Sequence, residues 1–150
     1  MAFLFQFEAN SEERHLCIPM EVRLKLDLCG VKLQVSQWQT LSQSQQDVLG
    51  DLPFATGEQL ERFRMAVKEA VLESSGIPAA DLPVATNPPW EDRTTIPARL
   101  QAKALESECL LNPEQWAALT SLQRFALLKL VRPGHENRNF LPALREFGLV

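Results

Sequence analysis

The chain carries one sequence pattern twice, and this repetition limits its possible folds more than any single segment does. Ile18-Pro19 stands twenty residues before Trp38, and Ile96-Pro97 stands twenty residues before Trp116. A gapless alignment of residues 18–49 with residues 96–127 gives nine identities in 32 positions, where average residue frequencies supply about two. A repeated unit of this length predicts two copies of one structural module. The identical pairs are Ile18/Ile96, Pro19/Pro97, Lys25/Lys103, Leu33/Leu111, Gln37/Gln115, Trp38/Trp116, Leu41/Leu119, Gln45/Gln123 and Leu49/Leu127.

The composition favours one ordinary domain and excludes several classes of protein. The chain has 150 residues, 45% of them hydrophobic, and a formal charge of −4, which argues against a nucleic-acid partner. No apolar run approaches the roughly 20 residues that cross a bilayer, and the first residues lack the features of a signal peptide. Cys17, Cys29 and Cys109 include no closely spaced pair, so we expect reduced thiols in a cytoplasmic protein.

Residues 20–35 fit two kinds of secondary structure. Apolar and polar residues alternate through MEVRLKLDLCGVKLQV, with Cys29-Gly30 at a turn, which is typical of a β-hairpin. The matching segment IPARLQAKALESECLL is rich in helix-forming residues and has Pro97 in its first turn, which favours a helix. Because the two copies should share one fold, we predict a helix in the first copy too, ended by Gly30.

Capping signals and apolar stripes predict further helices in both copies. Residues 36–52 and residues 113–130 each carry one apolar stripe that contains a tryptophan, and each is predicted to form a single helix. A third helix is predicted from Thr56 to Gly76, with a shorter counterpart from about Asn137 to Phe147.

These elements predict an all-α fold, a single helical domain over residues 1–150. Its two pseudo-repeated three-helix halves span roughly residues 18–76 and 96–147. The N-terminal FLFQF is expected to form an extended aromatic arm, with a single strand as the alternative. The connecting residues 77–95 contain four prolines, and either wrap the surface, pinned by Trp90, or are mobile.

Few residues offer metal or catalytic chemistry. Cys17, Cys29 and His15 could together bind a metal or cofactor, but no cysteine pair has the spacing of zinc or iron–sulfur sites. Buried cysteine more often serves as a small hydrophobic residue. Neighbouring carboxylates occur only as adjacent residues, which does not indicate an acid–base pair converging in a cleft.

A polar loop after the most apolar helix, residues 133–139, is the first candidate binding site. Its His135, Glu136, Asn137 and Arg138 offer directional contacts, and arginine is favoured at interface anchors. The alternatives are a turn that caps the last helix, or a small catalytic site of His135, Glu136 and Arg138.

Two further features lie outside the loop. Trp90, in the sequence NPPW, is either a plug that closes the core or an exposed anchor for a partner. Arg23, Lys25 and Lys32 form a modest basic strip, which is either a solvated face or a surface that orients an acidic partner.

Several runs of residues are distinctive in combination. Through them the sequence resembles the nitrate-reductase-associated protein family over nearly its whole length. The runs are Cys17-Ile18-Pro19-Met20, Val22-Arg23, Lys25-Leu26-Asp27 and Gly30-Val31-Lys32-Leu33 before Trp38, the NPPW segment, and the tail RPGHENRNFLPALREFGL.

The resemblance implies a small cytoplasmic bacterial protein that accompanies assimilatory nitrate reductase and supports its activity or maturation. That enzyme carries molybdenum cofactor and an iron–sulfur cluster, but the family supplies no catalytic or ligand residues for this chain. We therefore expect a non-enzymatic accessory protein that binds nitrate reductase and has no cofactor of its own. The alternative is a protein that binds or delivers a metal or molybdenum cofactor, or transfers electrons, through its Cys and His residues. The candidate partner-binding residues are Trp90, His135, Glu136, Asn137, Arg138, Arg23 and Lys25.

Overall fold

The computed structural model describes residues 3–12 and 14–150, with the backbone alone at residues 135 and 136. This part of the chain is mostly helical, as predicted, and contains nine α-helices and one pair of two-residue strands. The helices are α1 Gln6–Ala9, α2 Met20–Cys29, α3 Val35–Thr40, α4 Gln43–Asp51, α5 Gly57–Ser75, α6 Ala98–Glu106, α7 Pro113–Ala118, α8 Ser121–Leu130 and α9 Phe140–Glu146. The strands are β1 Val31–Lys32 and β2 Ala80–Asp81, and short 3-10 helices span Pro89–Glu91 and His135–Asn139. None of the helices described is long and apolar enough to span a bilayer.

The chain divides into two compact units. The N-terminal unit, Met1–Ala85, holds α1 to α5 and both strands, and the C-terminal unit, Thr86–Val150, holds α6 to α9. The division falls inside the linker predicted at residues 77–95, whose first part supplies β2 and whose second part supplies the 3-10 helix at Pro89–Glu91. The single domain over residues 1–150 stays a prediction.

The helical interpretation of residues 20–29 is correct. α2 ends at Gly30, which has φ 79° and donates its N–H to the Leu26 carbonyl oxygen. A Cβ at this position would lie 2.8 Å from the Leu82 carbonyl oxygen, so both the conformation and the space favour glycine. Within the segment whose pattern is typical of a β-hairpin, only the residues after this turn form a strand, β1, which pairs antiparallel with β2.

The prediction of one long second helix in each copy is wrong. The chain breaks between α3 and α4, where Leu41 is extended, and between α7 and α8, where Leu119 is extended. At each break a hydroxyl caps the next helix: Ser42 Oγ and Thr120 Oγ1 each accept a backbone N–H at 3.1 Å. Each predicted half therefore contains four α-helices instead of three.

The first three helices of the two halves nevertheless begin at corresponding positions. α2 and α6, α3 and α7, and α4 and α8 each begin 78 residues apart. Pro19 and Pro97 are the N-caps of the first pair, and glutamine side chains complete capping boxes in the other two pairs.

The extended arm or strand predicted for residues 3–7 is wrong at Gln6 and Phe7, which belong to α1. Phe5 and Phe7 are buried, and their rings stack at a centroid distance of 5.4 Å. Glu8 Oε1 accepts the backbone N–H of Met20 at 2.8 Å, which ties α1 to the start of α2.

Each unit has an apolar core of its own. In the N-terminal unit, α5 packs against α2, α3 and α4 and buries Phe63 and Val67 completely. In the C-terminal unit, α8 is buried on almost every side. Trp38 is almost completely buried and Trp116 completely, so the prediction that both tryptophans are core residues is confirmed.

Candidate functional site

The Trp90 segment lies against α8 in the C-terminal unit. The rings of Trp90 and Phe125 pack edge to face, with their centroids 5.0 Å apart. Trp90 is partly exposed, but its indole Nε1 is buried and has no hydrogen-bond partner among the described residues. Leaving a buried donor unsatisfied costs about 1–3 kcal/mol, so other interactions must hold this ring in place.

Arg124 supplies the main interaction. Its side chain is almost completely buried, and its Nε donates to the Trp90 carbonyl oxygen at 2.6 Å. Its other nitrogens donate to the carbonyl oxygens of Trp116 in α7 and of Leu119 directly after α7, and to Ser121 Oγ. Burial lowers the pKa of this guanidinium, because loss of water disfavours the charged form, and the nearby charge of Arg93 lowers it further.

Three more hydrogen bonds fasten the chain just after Trp90. Trp116 Nε1 donates to the Asp92 carbonyl oxygen at 2.7 Å, and Arg93 donates to the Ala117 carbonyl oxygen through Nε and Nη2. The hydroxyl and backbone N–H of Thr94 bond the Asp92 carboxylate and lower the pKa of Asp92. Residues 90–93 are thus fastened to α7 and α8 at several points.

The polar loop at residues 133–139 caps α8. Asn137 Nδ2 donates at 2.9 Å to the carbonyl oxygen of Leu130, which the end of the helix leaves without a donor, and at 3.3 Å to that of Arg132 just beyond the helix. This contact ends α8, whereas the interpretation of the loop as a turn that caps the last helix stays a prediction. Arg138 is exposed, so a capping role for Asn137 and a recognition role for Arg138 are compatible.

The side chains of His135 and Glu136 lie outside the described part of the structure. Their backbone belongs to the 3-10 helix His135–Asn139. A recognition or catalytic role for either residue stays a prediction.

The structure brings the Trp90 segment and the polar loop to one helix. Both pack on α8, the first near Phe125 and the second near Leu130. Five residues of helix separate these two points, which is about 7.5 Å along its axis.

Lys25 is not part of an exposed basic strip, because its side chain is 0% exposed. Its Nζ donates to the carbonyl oxygens of Leu49 and Gly50 at 2.9 Å each and of Leu52 at 2.8 Å. These carbonyls lie at the end of α4, where helix geometry leaves them without donors. Lys25 therefore caps a helix inside the N-terminal unit and offers no surface charge.

The other two residues of the predicted strip lie in different surroundings. Arg23 is partly buried, and its Nε donates to the Ile18 carbonyl oxygen at 2.8 Å. Lys32 is exposed in β1.

Sequence reasoning missed Arg124, although a signal was present. In α8 it stands directly before the apolar run Phe125-Ala126-Leu127-Leu128. Gln46 stands at the matching position of the first copy, and its Nε2 donates to the Trp38 carbonyl oxygen at 3.1 Å. A polar side chain that reaches back to the preceding short helix is thus common to both copies.

The alternative of a metal site formed by Cys17, Cys29 and His15 finds no support in the described residues. No group of three or more His, Cys, Asp or Glu side chains in the described residues is placed to hold a metal ion. His15 and Cys17 line a surface pocket of about 350 Å³, whereas Cys29 lies at the end of α2 with its Sγ near the Leu26 carbonyl oxygen. Burial raises the pKa of Cys29 and Cys109, which favours the thiol over the metal-binding thiolate.

Comparison with known proteins identifies the family of this chain. The family described as conserved nitrate reductase-associated protein matches residues 4–147. The chain belongs to this family, as its sequence motifs indicated. Neither the curated proteins nor the solved structures include a match to it.

Proposed function

We propose that this protein is a non-enzymatic accessory protein that binds assimilatory nitrate reductase and supports its activity or maturation in the cytoplasm. The observation that carries the proposal is the family match, which spans residues 4–147 and names an association with nitrate reductase. A protein that binds one state of its partner stabilises that state by mass action, without any chemistry of its own. Binding at a free concentration 100 times the Kd stabilises the bound state by about 2.7 kcal/mol.

We further propose that the helices α2 to α4 and α6 to α8 are two copies of one scaffold. Three observations support this: nine identities at a constant spacing, helices that begin 78 residues apart in each pair, and matching capping boxes. A shared scaffold explains the tryptophans Trp38 and Trp116 as core residues. It leaves the features outside the repeat as the better candidates for partner recognition.

Our candidate for the contact with the reductase is the surface along α8 formed by the Trp90 segment and the polar loop. Trp90 belongs to a residue type enriched at interface hot spots, and Arg124 together with Trp116 fastens its segment before any partner arrives. A fastened segment loses less conformational entropy on binding. Arg138 adds an exposed side chain from the loop. We propose that residues 135 and 136 of the same loop also contact the reductase.

Binding to the reductase tests this proposal. The immobilised protein is incubated with lysate of cells that express the nitrate reductase of the same organism, and bound reductase is measured by immunoblot and by nitrate-dependent nitrite production. We expect the wild type to retain the reductase. If the wild type retains no reductase either from lysate of nitrate-grown cells or when apo-reductase is supplied, the proposed function is wrong.

Variants locate the surface. His135→Ala/Arg138→Ala and Trp90→Ala should weaken retention, whereas Arg145→Ala, which removes an exposed arginine of α9, should not. Circular dichroism confirms that each variant is folded, and Trp90→Phe preserves an aromatic contact with Phe125 if Trp90→Ala unfolds. Equal retention by folded loop and Trp90 variants would place the contact elsewhere.

A further inference from the structure

The solvent side of α5 carries apolar residues that its own unit does not cover. Met65 is 64% exposed and Leu72 is 51% exposed, and both lie on the side opposite the buried Phe63, Val67 and Val71. Seven residues separate Met65 from Leu72, so they stand two turns apart, about 10 Å along the helix axis. Single exposed apolar residues are ordinary on a protein surface, so the pair needs a second observation before it indicates a binding surface.

The second observation is the charge around this pair. The exposed residues of the same side include four glutamates and one arginine, and this arginine, Arg62, is already paired with Glu58 at 2.9 Å. Glu61, Glu69 and Glu73 form no ion pair with any described residue. The four glutamates are Glu58, Glu61, Glu69 and Glu73.

The remaining basic residues of α5 do not neutralise this side. Arg64 and Lys68 both bind the carboxylate of Asp81 in β2, at 3.0 Å and 2.6 Å. These two ion pairs lower the pKa of Asp81 and hold both cations on the side of the strand pair. The exposed side of α5 is therefore an acidic surface with an apolar centre, which we call the α5 acidic face, formed by Glu58, Glu61, Arg62, Met65, Glu69, Leu72 and Glu73.

The charge of the whole unit agrees with that of the face. The N-terminal unit has twelve acidic and seven basic residues, whereas the C-terminal unit has seven acidic and eight basic residues. One of the seven basic residues, Lys25, is completely buried. The acidic excess of the chain thus lies entirely in the unit that carries the α5 acidic face.

Charge decides between the possible occupants of this face. A second copy in a twofold dimer would bring four glutamates against four glutamates, and like charges across an interface cost several kcal/mol. Nucleic acid and anionic lipid are repelled for the same reason. A protein surface with lysine or arginine around an apolar centre fits both the charge and the two-turn spacing of Met65 and Leu72.

We propose that the α5 acidic face is a second docking surface for nitrate reductase, and that it binds a basic, apolar-centred segment of that enzyme. The inference rests on the proposed function, because it takes the reductase as the partner. Apolar contact at Met65 and Leu72 supplies affinity, and the surrounding glutamates speed association and set orientation.

The test measures the Kd of purified nitrate reductase for immobilised wild type and variants, in 50 mM and 500 mM NaCl. Met65→Ser/Leu72→Ser should weaken binding about tenfold or more, since two central apolar contacts are lost. Glu69→Gln/Glu73→Gln should weaken it less and Glu69→Lys/Glu73→Lys more, with the differences largest at 50 mM NaCl because salt screens exposed charges. All these positions are exposed on a helix and should tolerate the changes with little loss of stability.

The matched control is Leu105→Ser/Leu110→Ser, which removes two apolar side chains that are 60% and 69% exposed in the C-terminal unit. Its Kd should equal that of the wild type. If the wild type binds and all α5 variants bind equally well at both salt concentrations, this inference is overturned while the proposed function stands. If the wild type does not bind, the proposed function itself fails. Dimerisation of the wild type that Glu69→Lys/Glu73→Lys abolishes would also overturn the inference, because a second copy would then occupy the face.

Discussion

Replacing Lys25 with methionine should destabilise the N-terminal unit strongly, because the ammonium of Lys25 is the donor for three carbonyl oxygens. Methionine fills a similar volume, so the change removes the charge and its hydrogen bonds and leaves little cavity. The bonds to Leu49 and Gly50 are buried, and the bond to Leu52 is partly buried. Water can therefore replace the ammonium at Leu52 more easily than at the other two positions.

The magnitude follows from these two classes of contact. Each buried carbonyl left without a donor costs about 1–3 kcal/mol, so Leu49 and Gly50 together account for about 2–6 kcal/mol. Removing the buried ammonium recovers part of its desolvation cost, which shifts the net loss toward the lower half of that range. The net loss of unfolding free energy should therefore be about 3 kcal/mol.

Urea unfolding followed by circular dichroism measures this loss, and the repeat supplies its control. Lys103 occupies the matching position of the second copy, but it is partly exposed and forms an ion pair with Glu106 at 2.9 Å. Lys103→Met should cost no more than about 1 kcal/mol, as exposed pairs do. If Lys25→Met and Lys103→Met lower the unfolding free energy equally, or if Lys25→Met raises it, the capping role of Lys25 is refuted.

Three further predictions follow from single contacts. Burial lowers the pKa of Lys25 below its ordinary 10.5, so the unfolded chain binds more protons at pH values between the folded pKa and 10.5. The unfolding free energy of the wild type should therefore rise with pH in that window, as urea unfolding at a series of pH values can measure. If Lys25→Met shows the same rise, groups other than Lys25 cause it. Asn137→Ala should cost about 1 kcal/mol in thermal unfolding through the lost cap of α8, and no change in Tm would show that water replaces the amide. Cys109 is buried, and burial raises its pKa, so iodoacetamide should label it only when urea unfolds the chain. Peptide mass mapping measures this labelling, and rapid labelling without urea would contradict the burial of Cys109.

Elements with strong local signals were predictable from the sequence. The helix α5 begins after Thr56, whose hydroxyl accepts the N–H of Gln59, and ends at Gly76 in the left-handed conformation, as both residues indicated. The same holds for α2, where comparison of the two copies resolved an ambiguous pattern and Gly30 marks the end. In these cases a cap or a glycine acts within a few residues, so its effect is readable along the chain.

The breaks between α3 and α4 and between α7 and α8 were harder to predict. Leu41 and Leu119 are apolar and fit a continuous helical stripe, so periodicity alone joins the two helices. The hydroxyls of Ser42 and Thr120 instead cap the start of a new helix after an extended leucine. A capping box inside an apolar stripe therefore outweighed the stripe.

The sequence by itself determined the helical class, the helix after each Ile-Pro pair, the core tryptophans Trp38 and Trp116, and the family. Only the tertiary structure decided which charges are buried and which reach solvent. Lys25 and Lys103 are identical residues at matching positions, yet the first ends inside the protein and the second at the surface. Their environment depends on which carbonyl groups other helices bring near them, and those helices are distant in the chain. The same reason explains why the sequence alone did not show that Arg124 is buried or that the α5 acidic face is exposed.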